Sequence, residues 1–255
     1  MKQVVLIGSG NVATSPAHAL ASTRQLAQIY SRNIAHAQSL AHAVGCDNAI
    51  DDLQQLLPAA DAYIIAVRDD AIGQVAHDAP DNGALWVHTS GSVPLDVLRD
   101  CRQRCGVLYP MQSFSRQLVT PLHDVHFFTE ACNDETLQQV DALASTLTTH
   151  VVHATSDQRR QLHVAAVFSC NFANHLWTMA SEVLDDAGLP FDAMLPLIRT
   201  TVAKLDNLSP AASQTGPAMR HDTRVIASHL AMLSGDKRQV YDLLSTSIMN
   251  RNPEK

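Results

Sequence analysis

Short apolar runs alternate with amphipathic stretches over the first 154 residues. The runs Gln3–Ile7, Gln28–Ser31, Ala62–Val67, Ala84–Thr89, Gly106–Tyr109, His126–Glu130 and His150–Ala154 have the length and composition of strands. Between them, Asn33–Val44, Asp51–Leu57, Ile72–His77, Leu95–Arg102 and Glu135–Leu147 read as helices. This alternation predicts βαβ units and a parallel sheet covered on both faces, which is why the strands are nearly continuous apolar runs. After Ser156 the texture changes. Leu162–Ala187 reads as one long helix stopped by Gly188 and Pro190, and Phe191–Leu205, Pro217–Leu233 and Arg238–Met249 follow as further helices. No strand pattern remains there. The expected organisation is an α/β domain over 1–155 and an all-helical domain over 156–255. The polar tail Asn250–Lys255 is expected to fray.

Composition narrows the function classes. With 255 residues, 46% hydrophobic and 17% charged, the chain is an ordinary globular protein of one large or two modest domains. Lys and Arg total 18 against 25 for Asp and Glu, a net charge of −7, and no basic run exceeds two residues. That excludes a uniformly basic nucleic-acid binder, which needs clustered cations to neutralise phosphates. No apolar stretch approaches the roughly 18–20 residues that span a bilayer. A soluble cytoplasmic protein without a membrane or nucleic-acid partner is expected. The five cysteines are an odd number without zinc spacing, so reduced structural thiols are expected. The 13 histidines are scattered and no HExxH occurs, so no metal is expected.

The first chemistry-bearing motif follows the first strand. Val4–Ile7 leads into Gly8-Ser9-Gly10-Asn11-Val12-Ala13, a G-x-G-x-x-A turn opening a helix-like segment. The first glycine permits a tight turn, the second lets backbone approach a pyrophosphate, and the small alanine lets helix and strand pack closely. Helix N–H groups then face the anion. Pro16 falls inside that helix, which is therefore expected to start late or bend. At the end of the second strand a binder of NAD carries a carboxylate for the ribose hydroxyls. Here the chain reads Ser31-Arg32, a hydroxyl and a guanidinium that suit a 2′-phosphate and point to NADP. The alternative is that Arg32 is a solvated surface residue. Two later strand ends, Ala66-Val67 with Asp69 and His88-Thr89-Ser90, complete the expected cofactor pocket. The plainer readings are helix capping for Asp69 or Asp70 and a buried structural role for His88.

These segments resemble a known superfamily. GSGNVA, the SR after the second strand, the AVRDD strand end and HTSGS are similar to pyrroline-5-carboxylate reductases, deazaflavin-dependent NADP oxidoreductases and 3-hydroxyacid dehydrogenases. Three later segments resemble, more specifically, a bacterial family that joins a Rossmann-like domain to a helical domain of unknown function. They are Gly106–Phe114, Leu162–Leu176 and Gln214–Asp222. The resemblance covers nearly the whole chain. It implies an N-terminal Rossmann dinucleotide-binding domain, an all-helical C-terminal domain like that of 6-phosphogluconate dehydrogenase, and a homodimer built through the helices.

Within the long helix, His163, Asn171, Asn174, His175 and Thr178 fall on one stripe of about 120° at ideal α spacing. In related 3-hydroxyacid dehydrogenases a lysine and an asparagine act on this helix. Here it holds no lysine, so His163 or His175 is expected to donate the proton, with Asn171 or Asn174 holding the substrate heteroatom. The alternative is a polar seam between helices or protomers. In Gln214–Asp222, Thr215 or Gly216 is expected to cap a helix with Pro217 at its first position. Its N-terminus and Arg220 would face an anionic substrate, with Gln214 beside them; the alternative is an ordinary helix start. Tyr109–Gln112 is expected to form the interdomain turn, with Gln112 facing substrate. The leading reading is an NADP-dependent oxidoreductase acting on a small C=O or C=N substrate in the interdomain cleft. The second is a dinucleotide-binding sensor or regulatory protein without turnover, and the third a structural dimerisation protein.

Overall fold

The computed structural model describes residues 1–252. An eight-stranded sheet is ordered β3-β2-β1-β4-β5-β6-β7-β8. Its strands are β1 (Val4–Ile7), β2 (Leu26–Tyr30), β3 (Ala49–Ile50), β4 (Ala62–Ile65), β5 (Leu85–His88), β6 (Cys105–Pro110), β7 (His126–Ala131) and β8 (His150–His153). The first six run parallel. β7 runs antiparallel to β6 and parallel to β8, so the sheet is not parallel throughout as the sequence suggested. Alternation within β1 divides the core. Val4 and Leu6 join the apolar cluster beside α1 (Asn11–Ser22), α2 (Ile34–Val44) and α5 (Asp134–Ala144). Val5 and Ile7 join the cluster on the opposite face, beside α3 (Ile72–Asp78) and the short α4 (Asp96–Arg99).

Several expectations change. α1 starts straight after Gly10 and runs through Pro16, which is buried within it. β3 is only two residues long and carries no period to read. The expected helix Asp51–Leu57 shrinks to a 3₁₀ turn, Leu53–Gln55, because the Leu57 N–H goes to the Gln28 side chain instead of continuing a helix. Leu95–Arg102 shortens to α4 because Arg102 turns inward, donating to the Ala79 carbonyl and lying 4.3 Å over the Trp86 ring. Tyr109 and Pro110 lie inside β6, and the chain from Gln112 leads on to β7. The expected interdomain turn is therefore a loop within the sheet domain.

The long helix begins earlier than its apolar pattern. α6 (Ser156–Ala166) opens with a capping box between Thr155 and Gln158, and a π turn, Val167–Phe172, leads into α7 (Ala173–Asp186). The compact units are Met1–Asn171 and Phe172–Lys255, so the division falls inside this helix rather than before it. Arg159, fully buried, explains the difference: it ties α6 to loops of the sheet.

The second unit is helical, with α7, α8 (Leu195–Ala203), α9 (Thr223–Met232) and α10 (Gly235–Arg251). The helix expected from Pro217 is instead a 3₁₀ turn, Ala218–Arg220. It ends at His221, whose φ is +53°, and α9 starts afresh with Asp222 accepting from the Val225 N–H. α10 includes Asn250 and Arg251, and the rest of the expected frayed tail from Pro253 lies outside the described residues. No helix among the described residues is long and apolar enough to cross a membrane.

Candidate functional site

The turn after β1 is shaped for close backbone approach. Gly8 has φ +131°, and a Cβ there would lie 2.2 Å from the Ala66 carbonyl oxygen at the end of β4. Gly10 caps α1, and a Cβ there would meet only open space. The Gly8 N–H donates to the Tyr30 carbonyl, joining the turn to the end of β2, and Ser9 Oγ donates to Ser31 Oγ at 2.9 Å. Asn33 caps α2 through the Ala35 N–H.

These strand ends surround a cavity of about 520 Å³. It brings together nine residues expected from sequence: Gly8, Ser9, Gly10, Asn11, Val12, Ser31, Arg32, Ala66 and Val67. His36, Arg68 and Arg116 line it too, and sequence reading missed them. Arg68 stood in the quoted strand end without a role. Arg116 lies far along the chain, where no spacing signalled it. The lining holds three arginines and no carboxylate. Arg68 is forked onto Asp70 at 2.9 and 3.2 Å.

The remaining expected cofactor residues lie apart from this cavity. Asp69 is exposed and accepts from Ser92 Oγ at 2.6 Å. Thr89 and Ser90 are buried in the turn after β5. The expectation that His88 faces a cofactor is corrected. The ring is fully buried, and its Nδ1 accepts from the Ser90 N–H. Burial, and next the Arg159 guanidinium, push its pKa down to about 3.

A second polar cluster lies beside that turn. Arg159 donates to the Ser90 and Val93 carbonyls at 2.8 and 3.1 Å, to Glu130 Oε2 at 2.9 Å and to Ser156 Oγ at 3.0 Å. One turn further along α6, His163 Nδ1 lies 3.3 Å from the Tyr109 hydroxyl, with the rings edge to face. Burial raises the Tyr109 pKa, so its hydroxyl stays protonated at neutral pH. Gly91 makes room for this ring: a Cβ there would lie 2.7 Å from Tyr109 Cζ. Tyr109 was read from sequence as a turn residue, and its contact with position 163 has no sequence signal.

Asn171 and His175 are exposed, Asn171 in the π turn and His175 on α7. A π turn holds about one residue more than an α turn, so the uniform stripe drawn through His163 and His175 does not survive it. Gln112 is exposed and caps its own turn through the Ser113 N–H. Gln214 bonds the neighbouring Thr215 carbonyl. Arg220 is exposed at the end of the 3₁₀ turn, not one turn into a helix. All five cysteines are free thiols, and no group of potential metal ligands occurs among the described residues.

Residues 2–87 match an oxidoreductase family with an NAD-binding Rossmann fold, and residues 125–248 match a domain of unknown function, DUF2520. No curated protein matches. Among solved structures, the chain is similar to a Bacteroides fragilis protein described as a "putative NADP oxidoreductase", with 41% identity, 98% of each chain covered and a TM-score of 0.90. A reductive aminase from Aspergillus terreus, solved with NADPH, shares 11% identity over 98% of this chain and 94% of its own, with a TM-score of 0.71. A pyrroline-5-carboxylate reductase from Coxiella burnetii shares 15% over 98% and 96%, with a TM-score of 0.59. The last two likenesses show the fold alone. On the Bacteroides match, the chain belongs to the family that joins a Rossmann-like domain to a DUF2520 domain.

Proposed function

We propose that the chain is an NADP-dependent oxidoreductase acting on a small C=O or C=N substrate. One observation carries this reading: the cavity at the ends of β1, β2 and β4 is lined by Arg32, Arg68 and Arg116 and by no carboxylate. A carboxylate after β2 would accept from ribose hydroxyls and repel a 2′-phosphate, whereas Ser31 and Arg32 offer donors to one. Gly8 lets the turn pass close against Ala66, and Gly10 faces the open space that a pyrophosphate needs. When bound, the nicotinamide supplies or accepts the hydride.

The rest falls to side chains of this chain. His163 is the proposed proton donor at the substrate heteroatom, with its ring held by the Tyr109 hydroxyl. Asn171 and His175 are the further candidates for holding that atom. Asp69, Thr89 and Ser90 lie at or just after strand carboxyl ends, where ligands of open α/β sheets bind, and are proposed for the nicotinamide half. Gln112, Gln214 and Arg220 are proposed on the substrate side. The exposed Arg220 guanidinium suits a carboxylate. A homodimer through the helical unit belongs to the same proposal. In support, only Met179, Ala218, Ile226 and Ser245 are buried among the described residues of that unit.

The test is a thermal-shift titration with NADPH, NADP, NADH and NAD. A ligand at about 100 times its Kd adds about 2.7 kcal/mol, and a protein of this size then melts roughly 5–10 °C higher. A shift selective for NADPH and lost in Arg32→Ala is expected. No shift with any of the four would remove the reading. NADPH binding without turnover on any imino or oxo acid would favour the regulatory alternative.

A further inference from the structure

Three of the segments around the nucleotide cavity are ends of parallel strands: the turn after β1, the end of β2 and the end of β4. The fourth is of another kind. Arg116 lies in the long connection between β6 and β7, and it is the one residue of that connection lining the cavity. The connection is a built strap. Before Arg116, Phe114 packs against the core of the sheet domain. Around it, Ser115 Oγ accepts from the Gln117 N–H, closing a tight turn. After it, the Thr120 N–H donates to Ser15 Oγ at 3.0 Å, and Leu122 and Val125 are buried. Ser15 is itself buried on α1, the helix that opens at the glycine cradle. The strap is thus clipped to the phosphate-binding helix, with Arg116 at its tip.

Charge completes the argument. Among the described residues, neither Arg32 nor Arg116 makes a hydrogen bond or ion pair, whereas Arg68 is committed to Asp70. Two uncommitted guanidiniums on one cavity without a carboxylate repel each other. An anion between them reverses the sign of both interactions. A monoester phosphate carries a charge near −2 at neutral pH and accepts from both at once.

We infer that Arg116 is the second guanidinium of the 2′-phosphate site. The preference for NADP over NAD is then set partly after β2 and partly by a strap that arrives from the other half of the sheet. This rests on the NADP reading above, and the test separates the two. Calorimetric titration compares NADPH with NADH, and 2′,5′-ADP with 5′-AMP, on the wild type, Arg116→Ala, Arg116→Lys and Ser15→Ala. Arg116→Ala is expected to weaken NADPH and 2′,5′-ADP by about tenfold to a hundredfold, while NADH and 5′-AMP stay within about twofold. Arg116→Lys is expected to restore part of the loss, as a point charge without the fork. Ser15→Ala unclips the strap and is expected to shift the ratio in the same direction by less. Equal weakening of NADPH and NADH would move Arg116 to the pyrophosphate and overturn the inference. Unchanged binding in Arg116→Ala would overturn it too. A wild type that binds neither NADPH nor 2′,5′-ADP would instead sink the NADP reading itself.

Discussion

His88 is fully buried and held neutral, with its Nδ1 accepting from the Ser90 N–H. Its pKa is pushed down to about 3, from about 6.5 in an unfolded chain, first by burial and then by Arg159. Between those values the unfolded chain binds the proton and the folded one does not. Stability from this group is therefore complete above about pH 6.5 and is lost as the pH falls toward 3, on the order of 5 kcal/mol across the whole window. The expected outcome is a melting temperature that drops between pH 6.5 and 4 in the wild type, with a visibly flatter slope in His88→Gln. Equal slopes would show that His88 does not titrate this way. Sequence could not separate the two readings of this residue. His88 ends an apolar strand, where inward and ligand-facing positions differ only by the pleat, and it shares the inward face with Trp86.

At the scale of an element, α6 is pinned by one charge. Arg159 is fully buried and holds the Ser90 and Val93 carbonyls together with Glu130, whose side chain is 20% exposed. Removing the guanidinium takes its donors from the two carbonyls and leaves Glu130 only the Ser156 hydroxyl, which donates to it at 2.8 Å. Arg159→Leu is expected to cost about 3–5 kcal/mol in urea unfolding. Its neighbour Arg160, paired with Asp157 at the surface, should cost under about 1 kcal/mol when changed to Ala. Similar losses for both would show that the pin carries no weight. In the sequence, Arg159-Arg160 is simply two adjacent cations before an apolar helix, which is why the expected helix and domain both began elsewhere. Elements with a strong period or a fixed turn were legible: every strand of the sheet but β3, α2 and the glycine cradle. The reversal of β7 and the strap carrying Arg116 were not, because both depend on contacts remote in sequence. The same holds for Tyr109 and His163, which are brought together by a sheet strand and a helix that no local pattern relates.

For the whole molecule, the two units differ in how well each closes on itself. The sheet domain buries two complete apolar layers. The helical unit leaves Leu197, Val202, Met232 and Leu243 more than half exposed, and an apolar groove of about 780 Å³ runs between its helices, lined by Met179, Val183 and Leu244 among others. So much apolar surface on one chain fits the proposed homodimer. Sedimentation velocity is expected to give a dimer at micromolar concentration, and Leu243→Glu to give monomers. On a solvated monomer face such a change would shift stability by no more than about 0.5 kcal/mol. A wild-type monomer, or a dimer unaffected by Leu243→Glu and by Met232→Lys, would remove that part of the proposal.

The π turn Val167–Phe172 sets a rule for how this chain tolerates changes of length. It already holds one residue more than an α turn needs, so losing a single codon here would let the backbone close as ordinary helix without a gap. The wider π turn is what absorbs that residue, so the side chains from Ala173 onward would keep nearly the direction they have now. A relative one residue shorter at this point would keep the helix and still present Asn174 and His175 in the same direction. In this segment length can change while aim is kept, whereas the same loss in the α turns of α6 or α7 would swing everything beyond it by about 100°.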